Sequence, residues 1–309
     1  MYPNNNHHKR PGEPERKIQQ ERREFPAYGL GQDEGRVEID RGQDKPLRGE
    51  IVDDLERREG YPPYPPEGTP RRVSVQIPGV KPIVTYALLA ITILVFLLQE
   101  ASMYAYHGVD IPANLGLKYN PAIVQGEYWR LFTPMFLHGG LLHIGFNMYA
   151  LYIFGIGLER HYGHVRFLLL YVLSGFAGNV MSFLFSSAPS LGSSTAIFGL
   201  LAAEAVFLFQ NKKIFGGQAQ RALMNIIIIG AVNLAIGTAP GIDNWGHVGG
   251  LLGGTLFAFI AGPRLVLEGT YPQLRVQDMR SSASTLIASL LVGAIFTALT
   301  VGGIVMYGG

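Results

Sequence analysis

The chain has 309 residues, 48% of them hydrophobic, and 25 basic against 23 acidic side chains give a formal net charge of +2. So small an excess of positive charge gives no reason to expect a nucleic-acid partner. Cysteine is absent, which excludes disulfides, thiol catalysis and thiolate metal sites together.

The mean hydropathy of +0.19 averages two unlike parts. Residues 1–81 are rich in Pro, Gly, Asn, Gln and charge, as in 10-RPGEPERKIQQERREF-25 and 61-YPPYPPEGTPRR-72. With so few aliphatic clusters this stretch cannot bury enough surface to offset its ordering entropy, and it reads as a disordered tail. Its YPPYPPEG segment favours polyproline II, as a linker or a docking site. His7 and His8 are too isolated to argue for a metal. The first apolar run begins about 80 residues in, which does not fit a cleavable signal peptide.

From there the chain is mostly apolar. A bilayer core needs about 20 apolar residues in helical form. The runs that approach this are 82–100, 140–158, 165–186, 194–210, 222–239, 245–262 and 283–306. The fold class is therefore all-α, a polytopic membrane helical bundle. The fourth to sixth runs are short and have polar ends. Such helices stop inside a protein, where a water-filled cavity satisfies the free backbone groups.

Lysine and arginine set the expected orientation. With the N-terminus in the cytoplasm, the cytoplasmic loops are 159-ERHYGHVR-166, 211-NKKIFGGQAQR-221 and 263-PRLVLEGTYPQLRVQDMR-280. All three are rich in basic residues. The external loops, 101–139, 187–193 and 240–244, hold only Lys118 and Arg130. The C-terminus then falls outside. This topology brings Ser194, His247, His138, His143 and Asn147 to one depth, near the outer leaflet, although none of them was used to set it.

Gly246, Gly250 and Gly254 lie four residues apart on one face of the sixth run, with His247 beside them. Gly199 and Ala203 repeat that spacing in the fourth. Small residues let helix backbones approach closely in a membrane. If the two stripes meet, Ser194 and His247 come face to face. Neutral imidazole, with an unperturbed pKa of about 6.5, takes a serine proton and returns it to a leaving amine. The unpaired amides at the start of the fourth run and the side chains of His143 and Asn147 would serve the oxyanion. Intramembrane polar groups are functional candidates by default. Other readings stand beside this one. Serine at a helix start also acts as a cap, which Ser193 or Thr195 could supply instead. His138, His143 and His247 could ligate zinc, although the first two lie five apart with no Glu between them, unlike HExxH. Asp243 could orient His247 or be a solvated loop residue. Glu204, an acid inside the fourth run, could pair with Lys212 or Lys213.

These residues resemble the rhomboid family of intramembrane serine proteases. Gly192-Ser193-Ser194-Thr195 is similar to the family's GxSG motif. His138, His143 and Asn147 match HxxxxHxxxN, and His247, Gly250 and Gly254 match HxxGxxxG. Trp129-Arg130 and Glu159-Arg160 match as well. The resemblance covers 82–262 and implies a rhomboid-like six-helix core, followed over 263–309 by a linker and one C-terminal transmembrane helix. It implies Ser194 as nucleophile, His247 as general base, and an oxyanion hole from the Ser194 amide, His143 and Asn147. It further implies that Phe198 packs on the imidazole, that Trp129-Arg130 braces the first external loop, that His138 is structural, and that 240–244 is a flexible cap. The fifth helix and that cap would move to admit a substrate helix. Family members usually have Gly after the serine, so Thr195 is expected to narrow the room beside the oxyanion hole.

The resulting expectation is a serine endopeptidase, needing no metal or organic cofactor. It would cleave transmembrane protein substrates within the lipid bilayer of a bacterial plasma membrane, with the site near the outer face. A non-catalytic rhomboid-like binder of membrane helices and a channel or transporter are the alternatives. Substrate identity, cleavage site and oligomeric state are not legible.

Overall fold

The computed structural model describes residues 36–40, 72–77, 79–269 and 274–308. Most of the tail expected to be disordered lies outside these residues, as does the YPPYPPEG segment. Two described pieces of the tail, β1 (Arg36–Asp40) and β2 (Arg72–Gln76), pair antiparallel, with Glu38 opposite Ser74.

The bundle begins with α1 (Ile83–Ala105). Its buried residues Thr85, Leu88, Thr92, Phe96 and Gln99 recur at helical spacing and form one stripe. A long connection follows, holding α2 (Ile111–Gly116), α3 (Asn120–Val124) and two 3-10 turns (Tyr128–Leu131 and Thr133–Phe136). Next come α4 (Leu141–Tyr162), α5 (His164–Phe185), α6 (Ser194–Gln210), α7 (Lys212–Ile236) and α8 (Asn244–Ala261). A hairpin of β3 (Leu265–Glu268) and β4 (Arg275–Asp278) leads to α9 (Ser282–Gly308).

The described helices include five long and apolar enough to cross a membrane, namely α1, α4, α5, α7 and α9. The molecule is a polytopic membrane bundle, as its hydropathy implies. At the centre, α5, α6 and α8 pack on one another. With 17 residues, α6 spans only about 25 Å at 1.5 Å per residue, less than the hydrocarbon core of about 30 Å. A helix that short leaves at least one of its ends inside the hydrocarbon.

The expected loop 159–166 is almost absent. Both flanking helices run through it and meet at Gly163, whose φ of +76° suits glycine. Residues 212–221 are also helical, and α7 bends at Gly216, with φ +57° and ψ −139°. Hydropathy marks where apolar residues end, whereas a helix carries on into polar sequence as long as its backbone bonds do.

Glu159 ties together the end of the bundle remote from Ser194. No side chain of α1's own caps its first turn. The buried Glu159 carboxylate accepts from Val84 N at 2.8 Å, Thr85 N at 2.7 Å and Thr85 Oγ1 at 2.7 Å, and His164 Nδ1 lies 2.6 Å away. An acid at a helix N-terminus meets unpaired donors and the positive end of the dipole.

Candidate functional site

Ser194 opens α6, and the chain reaches it through Gly192 at φ +135°. A Cβ on Gly192 would stand 2.8 Å from His143 Nε2. Glycine is thus required twice, for its backbone and for the imidazole beside it. Ser193 precedes the helix, but its side chain makes no cap bond. Its Oγ lies 3.2 Å from His138 Nε2 instead.

His247 sits one turn inside α8. Asp243 caps that helix, its Oδ1 accepting from Gly246 N at 3.0 Å. The His247 Nε2 atom lies 3.0 Å from Ser194 Oγ. Phe198, one turn after Ser194, stacks on the imidazole with centroids 4.2 Å apart and planes 14° from parallel. His247 Nδ1 is buried with no partner. Asp243 therefore serves the helix and not the imidazole, so the third member that the sequence allowed is not assembled.

The glycine stripes meet as their spacing implies. A Cβ on Gly250 would collide with the Thr195 carbonyl, and one on Gly254 with the backbone of Gly199. On the adjacent face of α8, Gly249 and Gly253 make the same close approach to Ala177 of α5. Two faces of α8 are thus stripped of side chains, and this brings His247 down to α6.

A cavity of about 840 Å³ opens over Ser194 and His247. His143 and Asn147 line it from α4. His143 Nδ1 accepts from Gly139 N at 3.3 Å, so the neutral ring carries its proton on Nε2, the nitrogen beside Gly192. Asn147 spends one N–H on His143 O at 2.9 Å and keeps the other.

His138 lies behind this group. Gln99 of α1 clamps its backbone, with His138 N donating to Gln99 Oε1 at 3.0 Å and Gln99 Nε2 donating to His138 O at 3.2 Å. Burial, reinforced by the nearby His143, pushes the His138 imidazole down to about 4, so it is neutral at pH 7. Among the described residues no three His, Asp or Glu side chains are grouped to hold a metal, and the zinc reading of His138, His143 and His247 is set aside on that geometry.

Trp129 and Arg130 brace the long connection. Trp129 Nε1 donates to Leu115 O at 3.0 Å, and Arg130 donates to Leu117 O at 2.9 Å, Asn114 O at 2.8 Å and Glu127 Oε2 at 2.6 Å. Thr195 does not line the cavity. Its methyl points into a gap between Gly178 and Gly246, and the expected narrowing beside the oxyanion position is not found. Glu204 is buried in α6 and pairs with neither Lys212 nor Lys213.

One contributor was not legible from the sequence. Lys118, read only as a loop cation, is fully buried. Its Nζ donates to Ser186 O at 2.6 Å and Ala188 O at 2.9 Å, and its backbone forms a bridge with Ser190. It thereby fixes the 186–191 wall of the cavity. Burial pushes its pKa down to about 8, against the opposing charge of Asp243. A lone Lys in a loop carries no pattern that reports burial.

Residues 125–264 match the family model described as the Rhomboid domain. The chain is 41% identical over 217 residues to the Rhomboid protease GluP of Bacillus subtilis (strain 168), covering 70% of this chain and 40% of that protein. It is 41% identical over 163 residues to RHOMBOID-like protein 6, mitochondrial, of Arabidopsis thaliana, covering 52% and 50%. It is 45% identical over 135 residues to RHOMBOID-like protein 1 of the same plant, covering 43% and 34%. The chain thus spans half or less of the length of these relatives. With the motif residues gathered at one end of a membrane bundle and the domain match lying over them, the chain belongs to the rhomboid family.

Proposed function

We propose that this protein is an intramembrane serine endopeptidase working through a Ser194–His247 dyad. The observation that carries the reading is the 3.0 Å separation of Ser194 Oγ and His247 Nε2 at the floor of the cavity. This lies within the reach needed for direct proton transfer.

Ser194 Oγ attacks the carbonyl carbon of a substrate peptide while His247 Nε2 takes the hydroxyl proton. The Ser194 backbone N–H, His143 Nε2–H and the free Asn147 N–H receive the oxyanion. Collapse breaks the C–N bond, and the imidazolium gives its proton to the departing amine. Water then attacks the acyl-serine, surrenders a proton to His247, and releases the carboxylic acid as the proton returns to Ser194. Phe198 holds the imidazole plane while Nδ1 has no partner. No step calls for a metal or an organic cofactor.

The substrates are transmembrane segments of other membrane proteins, a reading supported by the protease name of the Bacillus relative and by a nucleophile that opens a helix too short to cross the hydrocarbon core. The protease unit is 82–262, with the tail and α9 appended. The orientation places the N-terminus in the cytoplasm and the C-terminus and site outside, in a bacterial plasma membrane. The basic residues of the loops support it.

The test is covalent labelling of purified protein with a fluorophosphonate. Wild type labels at Ser194, Ser194→Ala does not label, and His247→Ala slows by about a hundredfold or more. Equal labelling of all three proteins would refute the dyad and favour a binder without catalysis.

A further inference from the structure

The cavity runs between α4 and α7, and its two helical walls differ. The α4 wall offers His143 and Asn147, whose N–H groups the proposed reaction assigns to the oxyanion. The α7 wall is contributed by Asn233 and Ile236. Asn233 is the one polar side chain that α7 brings to the cavity, in a stretch that reads 226-IIIIGAVNLAI-236. One of its N–H groups donates to Ile229 O at 2.8 Å. The Oδ1 and the second N–H make no hydrogen bond, and the residue is exposed. An amide on an apolar span is costly unless it meets a partner.

The partner chemistry follows from the proposed reaction. A scissile carbonyl inside an intact helix is bonded four residues on and shielded by the next turn. A substrate must therefore unwind there to present it, which frees backbone N–H groups as well as carbonyls. Ser194, His143 and Asn147 are arranged for one carbonyl oxygen. Their N–H groups and the Ser194 hydroxyl serve that oxygen, and on the α4 wall Asn147 Oδ1 alone is left to accept a freed N–H. On the opposite wall, Asn233 Oδ1 is an acceptor with open lone pairs.

We propose that Asn233 is a substrate-binding residue of this site, its Oδ1 accepting a hydrogen bond from a backbone N–H of the unwound substrate beside the scissile peptide. The inference rests on the protease reading and names what that site holds besides the reacting carbonyl. It makes α7, the least buried of the five long helices, a contributor to substrate affinity.

The experiment uses the full chain in lipid nanodiscs and a synthetic transmembrane peptide that wild type cleaves. A set of versions replaces one amide at a time, near the cleaved bond, by a backbone ester, which removes a single N–H. In wild type, one ester position raises KM about tenfold with kcat little changed. Asn233→Leu raises KM for the all-amide peptide by a similar factor and no longer distinguishes that ester. A merely structural role would not produce this coupling. Fluorophosphonate labelling of Ser194 proceeds in the variant, because the small probe does not extend to α7. Asn233→Ala, which cannot clash, carries the same expectation and decides the matter if the leucine variant does not fold. A wild-type KM in the variants, or an ester penalty that persists in them, overturns the proposal while leaving the dyad standing. Failure of wild type to label at Ser194 would instead overturn the protease reading itself.

Discussion

The methyl of Thr195 fills a gap between two helices. A Cβ on Gly178 would stand 2.6 Å from the Thr195 Cβ, and one on Gly246 would stand 3.0 Å from its Cγ2. Its Oγ1 is buried without a partner. Two substitutions separate these features. Thr195→Gly leaves a void and adds a flexible residue in the first turn of α6, and should cost about 1–3 kcal/mol in thermal unfolding. Thr195→Val keeps the shape and removes the unpaired hydroxyl, and should be neutral or stabilising by about 1 kcal/mol. Phosphonate labelling of Ser194 should survive in both, since neither touches the cavity. At this scale the sequence was informative about which residues meet, since Ser194, His247, His143 and Asn147 all line one cavity. It was silent on direction. Nothing in the string 192-GSST-195 says that the third hydroxyl points away from the second, because that depends on which neighbouring helices lack a side chain. Asp243, left open between an orienting acid and a solvated loop residue, is a helix cap, a role that shows only once the helix start is known.

Close contact of α6 and α8 depends on glycines that admit no alternative. Gly250→Ala would drive a methyl into the Thr195 carbonyl. Backbone cannot swing aside as a long side chain can, so α8 must shift and carry His247 Nε2 away from Ser194 Oγ. The expected result is a loss of about 1–3 kcal/mol in stability together with a collapse of phosphonate labelling. Gly293→Ala in α9 is the control, because a Cβ there meets nothing within 4 Å. It should retain both properties, and a Gly250→Ala protein that labels like wild type would refute this account of the helix contact. The stripe 246, 250 and 254 was visible from spacing alone. The second stripe, 249 and 253, was present in the same letters, but its partner α5 supplies Ala177 and Met181, which announce no match.

Two buried charges hold the bundle together at its ends, Glu159 at one and Lys118 near the other. Lys118 carries a testable signature. Its folded pKa of about 8 lies below the ordinary lysine value of 10.5. Between these limits the unfolded chain holds more protons than the folded one, so this contribution to stability rises with pH through the window. Below pH 8 the full cost of burying the ammonium stands. The difference in melting temperature between wild type and Lys118→Met, followed from pH 7.5 to 9.5 in detergent, should shift in favour of wild type as pH rises. A flat difference would show that the ammonium titrates as it does in water. The arrangement of spans was legible because hydropathy integrates over many residues. In the long connection between α1 and α4 the brace at Trp129-Arg130 was implied by resemblance alone, and the bonds that Lys118 donates to carbonyls distant in the chain were not legible at all.

The two bare faces of α8 also bear on how such a protein can change over generations. At Gly246, Gly249, Gly250, Gly253 and Gly254 any added carbon would meet a neighbour within about 3 Å. Sequence drift in this helix is confined to what lies off those faces, such as the outward Leu252 and Phe259. The segment that carries the imidazole therefore has little latitude to wander, while the lipid-facing helices around it remain free to diverge.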